Sequence, residues 1–256
     1  MTRLPIAPSV TYGPHPDQVA NLHLPAEKGG PWPCVALLHG GFWRSGWDRT
    51  LMTALAQDLA RRGFAAWNIE YRRVGSDGGG WPGTLEDVAA ALDHLASLEQ
   101  IDAARVATCG HSAGGHLALW AAARHRLPGA APGAGPLVRP IGAVSQAGVC
   151  DLVRGAEQGL GAGACAAFLG GAPDEQPERY AAASPASLAP LGVPQLLIHG
   201  EVDDIVPLAQ SEGYAAVAGG EAELVAFAEA GHCDLIDPAH PSWAVVAAWL
   251  TRLLSA

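Results

Sequence analysis

The sequence predicts an α/β protein, a mostly parallel sheet covered on both faces by helices. Short apolar runs ending in turn residues alternate along the chain with stretches whose apolar residues recur at helical spacing. The runs are short and apolar, as expected of strands buried between two helical layers. At 256 residues the chain is long enough for one well-buried core and short for two, so residues 1–256 are expected to form a single domain.

Each element has its own signal. "SVTY" and "QVANLHL" suit an antiparallel entry hairpin, and "CVALLHG" (34–40) reads as the first long buried strand. "TLMTALAQDLARRG" (50–63) has helical spacing and stops at Gly63. "FAAWNIEYR" (64–72) is a strand, 74–83 a Gly-rich loop, and "TLEDVAAALDHLASL" (84–98) an amphipathic helix whose Thr84 and Asp87 resemble a capping box. "RVATCG" (105–110) is a strand followed by the helix "AGGHLALWAAARH" (113–125). A Pro/Gly loop fills 127–136, and "IGAVSQAG" (141–148) is the next strand. Residues 149–190 are irregular with short helical pieces, a minimal cap at most. "PQLLIHG" (194–200) and "AELVAFAEAG" (222–231) are strands, and "SWAVVAAWLTRLL" (242–254) closes the chain as a helix.

Composition removes several function classes. Apolar residues make up 49% and charged residues 16%, ordinary for a folded soluble protein. The net charge of −10 without a basic stripe argues against a nucleic-acid partner. No apolar run approaches the roughly 18 residues of a membrane helix, and the first eighteen residues hold no signal-like apolar segment. The five cysteines, Cys34, Cys109, Cys150, Cys165 and Cys233, are scattered without CxxC spacing, which argues against a zinc site or a disulfide framework. A reduced cytoplasmic protein without a metal is expected, and its oligomeric state is left open.

The chemistry concentrates in loops that follow predicted strands, where ligands collect in open α/β sheets. "GHSAGG" (110–115) joins a strand to a helix, and Gly110 and Gly114 give Ser112 the space a sharp turn needs. Gly115 lets the helix pack close to the sheet. The bland alternative is a serine capping the helix. A serine nucleophile needs a base within hydrogen-bond reach and a third group to orient that base. "LLIHGEVDDIVP" (196–207) supplies the acid; its pattern favours Asp203, while Asp204 suits an Asx turn. "EAGHCDL" (229–235) supplies His232. His111 should point away from the site, His116 lies inside a helix, and His199 should stabilise the turn after its strand. "HGGFW" (39–43) follows the first buried strand, so the backbone N–H groups of Gly41 and Phe42, with that of Ala113, are expected to form an oxyanion hole.

From "VALLHGGFW" to "AGHCDL" this ordered set resembles the α/β-hydrolase superfamily, including its Ser…Asp…His order. The H-G-G-x-W form, "GHSAGGHLA" and "HGEVDDIVP" look like its kynurenine formamidase (arylformamidase)-like and small esterase branches. "PERYAAASPASLAPLGVPQLLIHG" is similar to relatives that include acetyl-xylan and feruloyl esterases. The resemblance implies an α/β-hydrolase fold with an eight-stranded sheet, a Ser112–His232–Asp203 triad, an acyl-serine intermediate and no cofactor. The substrate would be a small acyl ester or amide. Phe42, Trp43 and Trp81 are expected to contact it, with "FLGG" (168–171) and Leu152 opposite, and Arg44, Arg72 or Arg73 could meet a carboxylate. Trp47 lies on a nearby loop and suits packing equally well. A dienelactone-hydrolase-like enzyme would need Cys where Ser112 stands, and a peptidase would need a gating domain that 256 residues do not hold. The remaining competitor is a non-catalytic binder on the same fold.

Overall fold

In the computed structural model of the chain, which describes residues 7–27 and 29–255, eight strands form one sheet. They are β1 (Ser9–Thr11), β2 (Val19–His23), β3 (Trp32–Leu38), β4 (Ala65–Ile69), β5 (Ile101–His111), β6 (Ala143–Gln146), β7 (Gln195–Gly200) and β8 (Ala222–Phe227). Their spatial order is β1-β2-β4-β3-β5-β6-β7-β8. The β1–β2 and β2–β4 pairings are antiparallel and every later pairing is parallel, so the entry hairpin and the parallel body both match the sequence reading.

The helices are α1 (Thr53–Arg61), α2 (Gly83–His94), α3 (Ala113–Ala123), α4 (Leu152–Glu157), α5 (Leu160–Leu169), α6 (Pro177–Ala183), α7 (Pro185–Leu188), α8 (Ala209–Val217) and α9 (Pro241–Leu254). Alternation along β3 sorts them into two layers. Cys34, Ala36 and Leu38 face a core shared with α2 and α3, while Val35 and Leu37 face a core shared with α1 and α9. Every residue of α3 is buried, which explains why "AGGHLALWAAA" has no polar stripe.

One local expectation changes, and two segments gain detail. The Thr84–Asp87 capping box does not form: Pro82 occupies the N-cap of α2, the Thr84 hydroxyl is engaged with the Arg72 carbonyl, and Asp87 holds the Arg72 guanidinium and the Gln18 amide. Residues 149–190 contain four short helices, α4 to α7, with left-handed residues Gly161, Ala162 and Gly163 breaking the start of α5. The sequence reading assigned nothing to α8, which separates β7 from β8. The first six residues, part of the stretch read for a targeting signal, lie outside the described residues. Among the described residues no helix is long and apolar enough to cross a membrane.

The turn from β5 into α3 tolerates no added carbon. A Cβ on Gly110 would stand 2.0 Å from the Gly114 carbonyl oxygen, and one on Gly114 would stand 2.0 Å from the Leu38 carbonyl oxygen. Both obstacles are backbone, which cannot rotate away. Gly114→Ala is therefore expected to destabilise the protein by about 3 kcal/mol, the upper end for overpacking. Urea denaturation of the variant beside wild type measures this, and a midpoint equal to wild type would contradict the packing described.

Candidate active site

Ser112 stands between β5 and α3 with φ 58° and ψ −121°, a conformation that side chains rarely adopt. The surrounding structure holds it there. Its N–H donates to the Gln146 carbonyl at 2.8 Å, and its carbonyl accepts from the His116 N–H at 3.2 Å. The Ser112 hydroxyl makes no capping bond to α3, so the bland alternative of a helix cap does not describe it.

His232 lies on the loop between β8 and α9, and its Nδ1 lies 2.7 Å from Oδ2 of Asp203 on the loop after β7. A carboxylate oxygen only accepts, so Nδ1 carries the proton and Nε2 of the neutral ring carries the lone pair. The Asp203 side chain is wholly buried. Its Oδ1 accepts from the Ile205 N–H at 2.9 Å and the Val206 N–H at 2.8 Å. Burial opposes ionisation of this carboxyl, but the bonds from His232 and these two N–H groups outweigh it and hold the carboxyl below its ordinary range. Asp203 therefore fills the Asx turn that was assigned to Asp204 and also orients His232. Asp204 is exposed.

Ser112 and His232 line one cleft of about 130 Å³ with Gly41, Phe42 and His111, and with Trp47, Leu51, Ile205, Cys233 and Ile236. The H-G-G segment reaches the cleft from β3. Gly41, Phe42 and Trp43 have φ of 110°, 51° and 56°, three consecutive residues in the left-handed region. The Gly41 carbonyl accepts from the Arg44 N–H at 3.0 Å, so the Phe42 N–H on the same planar peptide points the opposite way. A Cβ on Gly40 would stand 3.0 Å from Cβ of Ser112, so the loop abuts the serine turn. Ala113 is the first residue of α3, where backbone N–H groups have no partner within the helix.

Several expected contacts are redistributed. Trp43 is 0% exposed; its ring stacks on Phe168 and its N–H donates to Nδ1 of His116, so it supports the loop from beneath instead of meeting substrate. Trp81 lines a separate groove with Pro128, Pro132 and Arg179. Phe168 and Leu152 are buried in the core. Arg72 pairs with Asp87, Arg73 with Glu70 and Asp17, and Arg44 donates to the Ala162 carbonyl, so none of the three lines the cleft. Phe42 does line it, its ring packed against Gly161. His199 behaves as expected, with Nε2 on the Val206 carbonyl and Nδ1 on the Ser211 hydroxyl.

His111 does not point away. Its Nε2 donates to the His232 carbonyl at 2.9 Å and its ring lies 4.5 Å from the His232 ring, fixing the loop that carries His232. Trp47, 55% exposed, forms an outer wall instead of core packing. Ile205 and Ile236 were also missed. Each lies within four residues of Asp203 or His232, and that proximity was the available signal.

Residues 20–216 match the BD-FAE family, an α/β-hydrolase family. The chain is 32% identical over 115 residues to a probable isoprenylcysteine alpha-carbonyl methylesterase of Oryza sativa subsp. japonica, a match covering 43% of this chain and 26% of that protein. A protein of the same description in Arabidopsis thaliana is 31% identical over 114 residues, with 43% and 23% covered. The chain thus spans about a quarter of the length of these curated relatives. Among solved structures, it resembles a truncated carbohydrate esterase from gut microbiota with a TM-score of 0.85, 20% identity and 98% of both chains covered. It resembles Thermogutta terrifontis esterase 2 with a TM-score of 0.78, 21% identity and 99% and 95% covered. These likenesses establish the fold.

Two histidines near the site carry a pH signature. Burial, reinforced by His232, lowers His111 to about 3. Burial lowers His116 to about 4. Both take up protons more readily once unfolded, so their contribution to stability is complete above the ordinary histidine value and is lost as pH falls from about 6.5 toward 4. The melting temperature is expected to hold near pH 7 and fall steadily below pH 6.5, with a shallower fall in His116→Asn. A flat profile down to pH 4.5 would contradict neutral buried rings.

Proposed function

The chain belongs to the BD-FAE family, and from that membership and the geometry of its cleft we propose that it is a serine hydrolase of small acyl esters. One observation carries the proposal. Ser112 is held in a strained turn, in one cleft with an imidazole whose far nitrogen is bonded at 2.7 Å to a buried aspartate.

Ser112 Oγ attacks the acyl carbonyl while Nε2 of His232 takes its proton. Asp203 keeps Nδ1 protonated and stabilises the imidazolium that forms. The negative charge arising on the carbonyl oxygen is met by N–H groups of Gly41, Phe42 and Ala113. The tetrahedral species then expels the alcohol, which takes the proton from His232. Water, deprotonated by the same imidazole, attacks the acyl-serine and releases the acid and the free hydroxyl.

The lining of the cleft supports one substrate class. Phe42, Trp47, Leu51, Ile205 and Ile236 give it apolar walls, and among the described residues no lysine, arginine, aspartate or glutamate lines it. Such walls suit an uncharged apolar acyl group. Phe42 and Trp47 also suit an aryl formamide, whose C–N bond would be cleaved by the same steps. Esters take precedence because the curated relatives are described as methylesterases and the structural neighbours as esterases. An acylated sugar would place its acyl end here and its hydroxyls outside.

Wild type is expected to hydrolyse p-nitrophenyl acetate faster than N-formylkynurenine, and Ser112→Ala to lose at least about 10³-fold in kcat. Asp203→Asn should lower kcat by about 10⁴-fold, because the wrong imidazole tautomer then faces the serine, while Asp204→Asn stays close to wild type. If wild type cleaves neither compound and a fluorophosphonate leaves Ser112 unlabelled, the chain is a binder on a hydrolase fold.

A further inference from the structure

Glu70 follows β4 and is 2% exposed. A carboxylate withdrawn from water is tolerated only with close partners. Its Oε1 lies 2.9 Å from Nε2 of His39, 3.1 Å from Nη1 of Arg73 and 3.2 Å from the Tyr71 N–H. Its Oε2 accepts from the Arg49 N–H at 3.0 Å and faces the Arg49 guanidinium at 3.5 Å.

These partners converge on the H-G-G segment. The His39 ring is stacked on Tyr71 at 4.3 Å with 8° between planes, and the Tyr71 hydroxyl donates to the His39 carbonyl at 2.7 Å. Nδ1 of His39 lies 2.7 Å from the Gly40 carbonyl oxygen. Carbonyl and carboxylate oxygens only accept, so Nδ1–H donates to Gly40 and Nε2–H donates to Glu70. The C=O and N–H of one planar peptide point in opposite directions. Drawing the Gly40 oxygen toward His39 therefore turns the Gly41 N–H away from it, and Gly41 lines the cleft with Ser112. The same carboxylate also anchors Arg73, whose guanidinium donates to the carbonyl of Trp47. Trp47 backs Gly41 closely, since a Cβ on Gly41 would stand 2.5 Å from Cβ of Trp47.

We propose that Glu70 is a positioning residue for the oxyanion site, setting the direction of the Gly41 N–H through His39 and the cleft wall through Arg73 and Trp47. The proposal rests on the serine-hydrolase reading above. Glu70 touches no substrate. It makes the donor rigid before the charge arises, which is where a preorganised site gains its advantage. A purely structural Glu70 would hold β4 to its neighbours and leave the chemistry alone.

The test is a split between kcat and KM, read beside the binding of a tetrahedral mimic. Glu70→Gln keeps the shape and removes the charge. It is expected to lower kcat for p-nitrophenyl acetate by about 10- to 100-fold, less than or near the loss of a whole oxyanion donor. KM should stay within about threefold, and affinity for phenylboronic acid, which forms a charged tetrahedral adduct with the serine, should fall in step with kcat. Tyr71→Phe retains the stacked ring, loses one hydrogen bond to His39, and is expected to lower kcat by about three- to tenfold. Asp93→Asn breaks a comparable pair with the buried Arg124 far from the cleft and should lower the melting temperature with kcat intact.

Folded Glu70→Gln with wild-type kcat and boronate affinity overturns the proposal. Should Glu70→Gln fail to fold, Tyr71→Phe with unchanged kcat overturns it. An active, labelled wild type beside an unimpaired Glu70→Gln sinks the positioning role alone, whereas an inactive and unlabelled wild type sinks the hydrolase reading and this role together.

Discussion

The start of α3 lies against the backbone of β3 and β5 with no room for a side chain, and the arrangement of the cleft follows from that contact. Gly110, Gly114 and Gly40 are the three points of approach, meeting a carbonyl oxygen, another carbonyl oxygen and the Ser112 Cβ respectively. Removing one side chain at each point brings the H-G-G loop and the serine turn to within van der Waals distance. The strained φ at Ser112 is sustained because its amide and its carbonyl are both bonded to neighbours. Local strain persists where surrounding structure over-determines it, and here the sheet and α3 do so from two sides.

Around this contact the titratable groups divide into two kinds. His111 and His116 are buried with neutral or backbone partners, and burial keeps them uncharged. Asp203 and Glu70 are buried with donors arranged about their oxygens. The neutral rings act as spacers that fix loops, His111 through Nε2 alone and His116 through both nitrogens. His111 holds the His232 loop in this way, and His116 bridges Trp43 to the Ala183 carbonyl. The carboxylates orient other side chains. Both tasks use hydrogen bonds, but only the second uses a net charge.

Much of this was legible in the sequence. The strand-helix alternation, the entry hairpin and the three motif loops come from local patterns, and each fell where its pattern placed it. What escaped reading depends on contacts between distant segments. Thr84 and Asp87 have the spacing of a helix cap, yet Arg72, twelve or more residues away, claims both. Trp43 and Trp47 are neighbours in one loop, and left-handed residues send one beneath it and the other to the surface. Spacing carries no information about such a reversal. Glu70 drew no reading and Arg73 only that of a residue that could meet a carboxylate, because the partners His39, Arg49 and Asp17 lie on other segments. Asp203 was separable from Asp204 because its position within the motif, and not its chemistry, decides which side chain turns inward.

The size of the cleft bears on how such an enzyme would choose among compounds. At about 130 Å³ it is well below the several hundred that a drug-sized ligand fills. On the reading proposed here, only one half of an ester can be enclosed. The other half then sits in solvent, where a change in its shape costs little binding and its departure meets no barrier. Selectivity is thereby written on a single side of the scissile bond. A protein of this kind is strict about what it keeps as the acyl-enzyme and tolerant of what it releases first, so one chain can serve many alcohols that carry the same small acid.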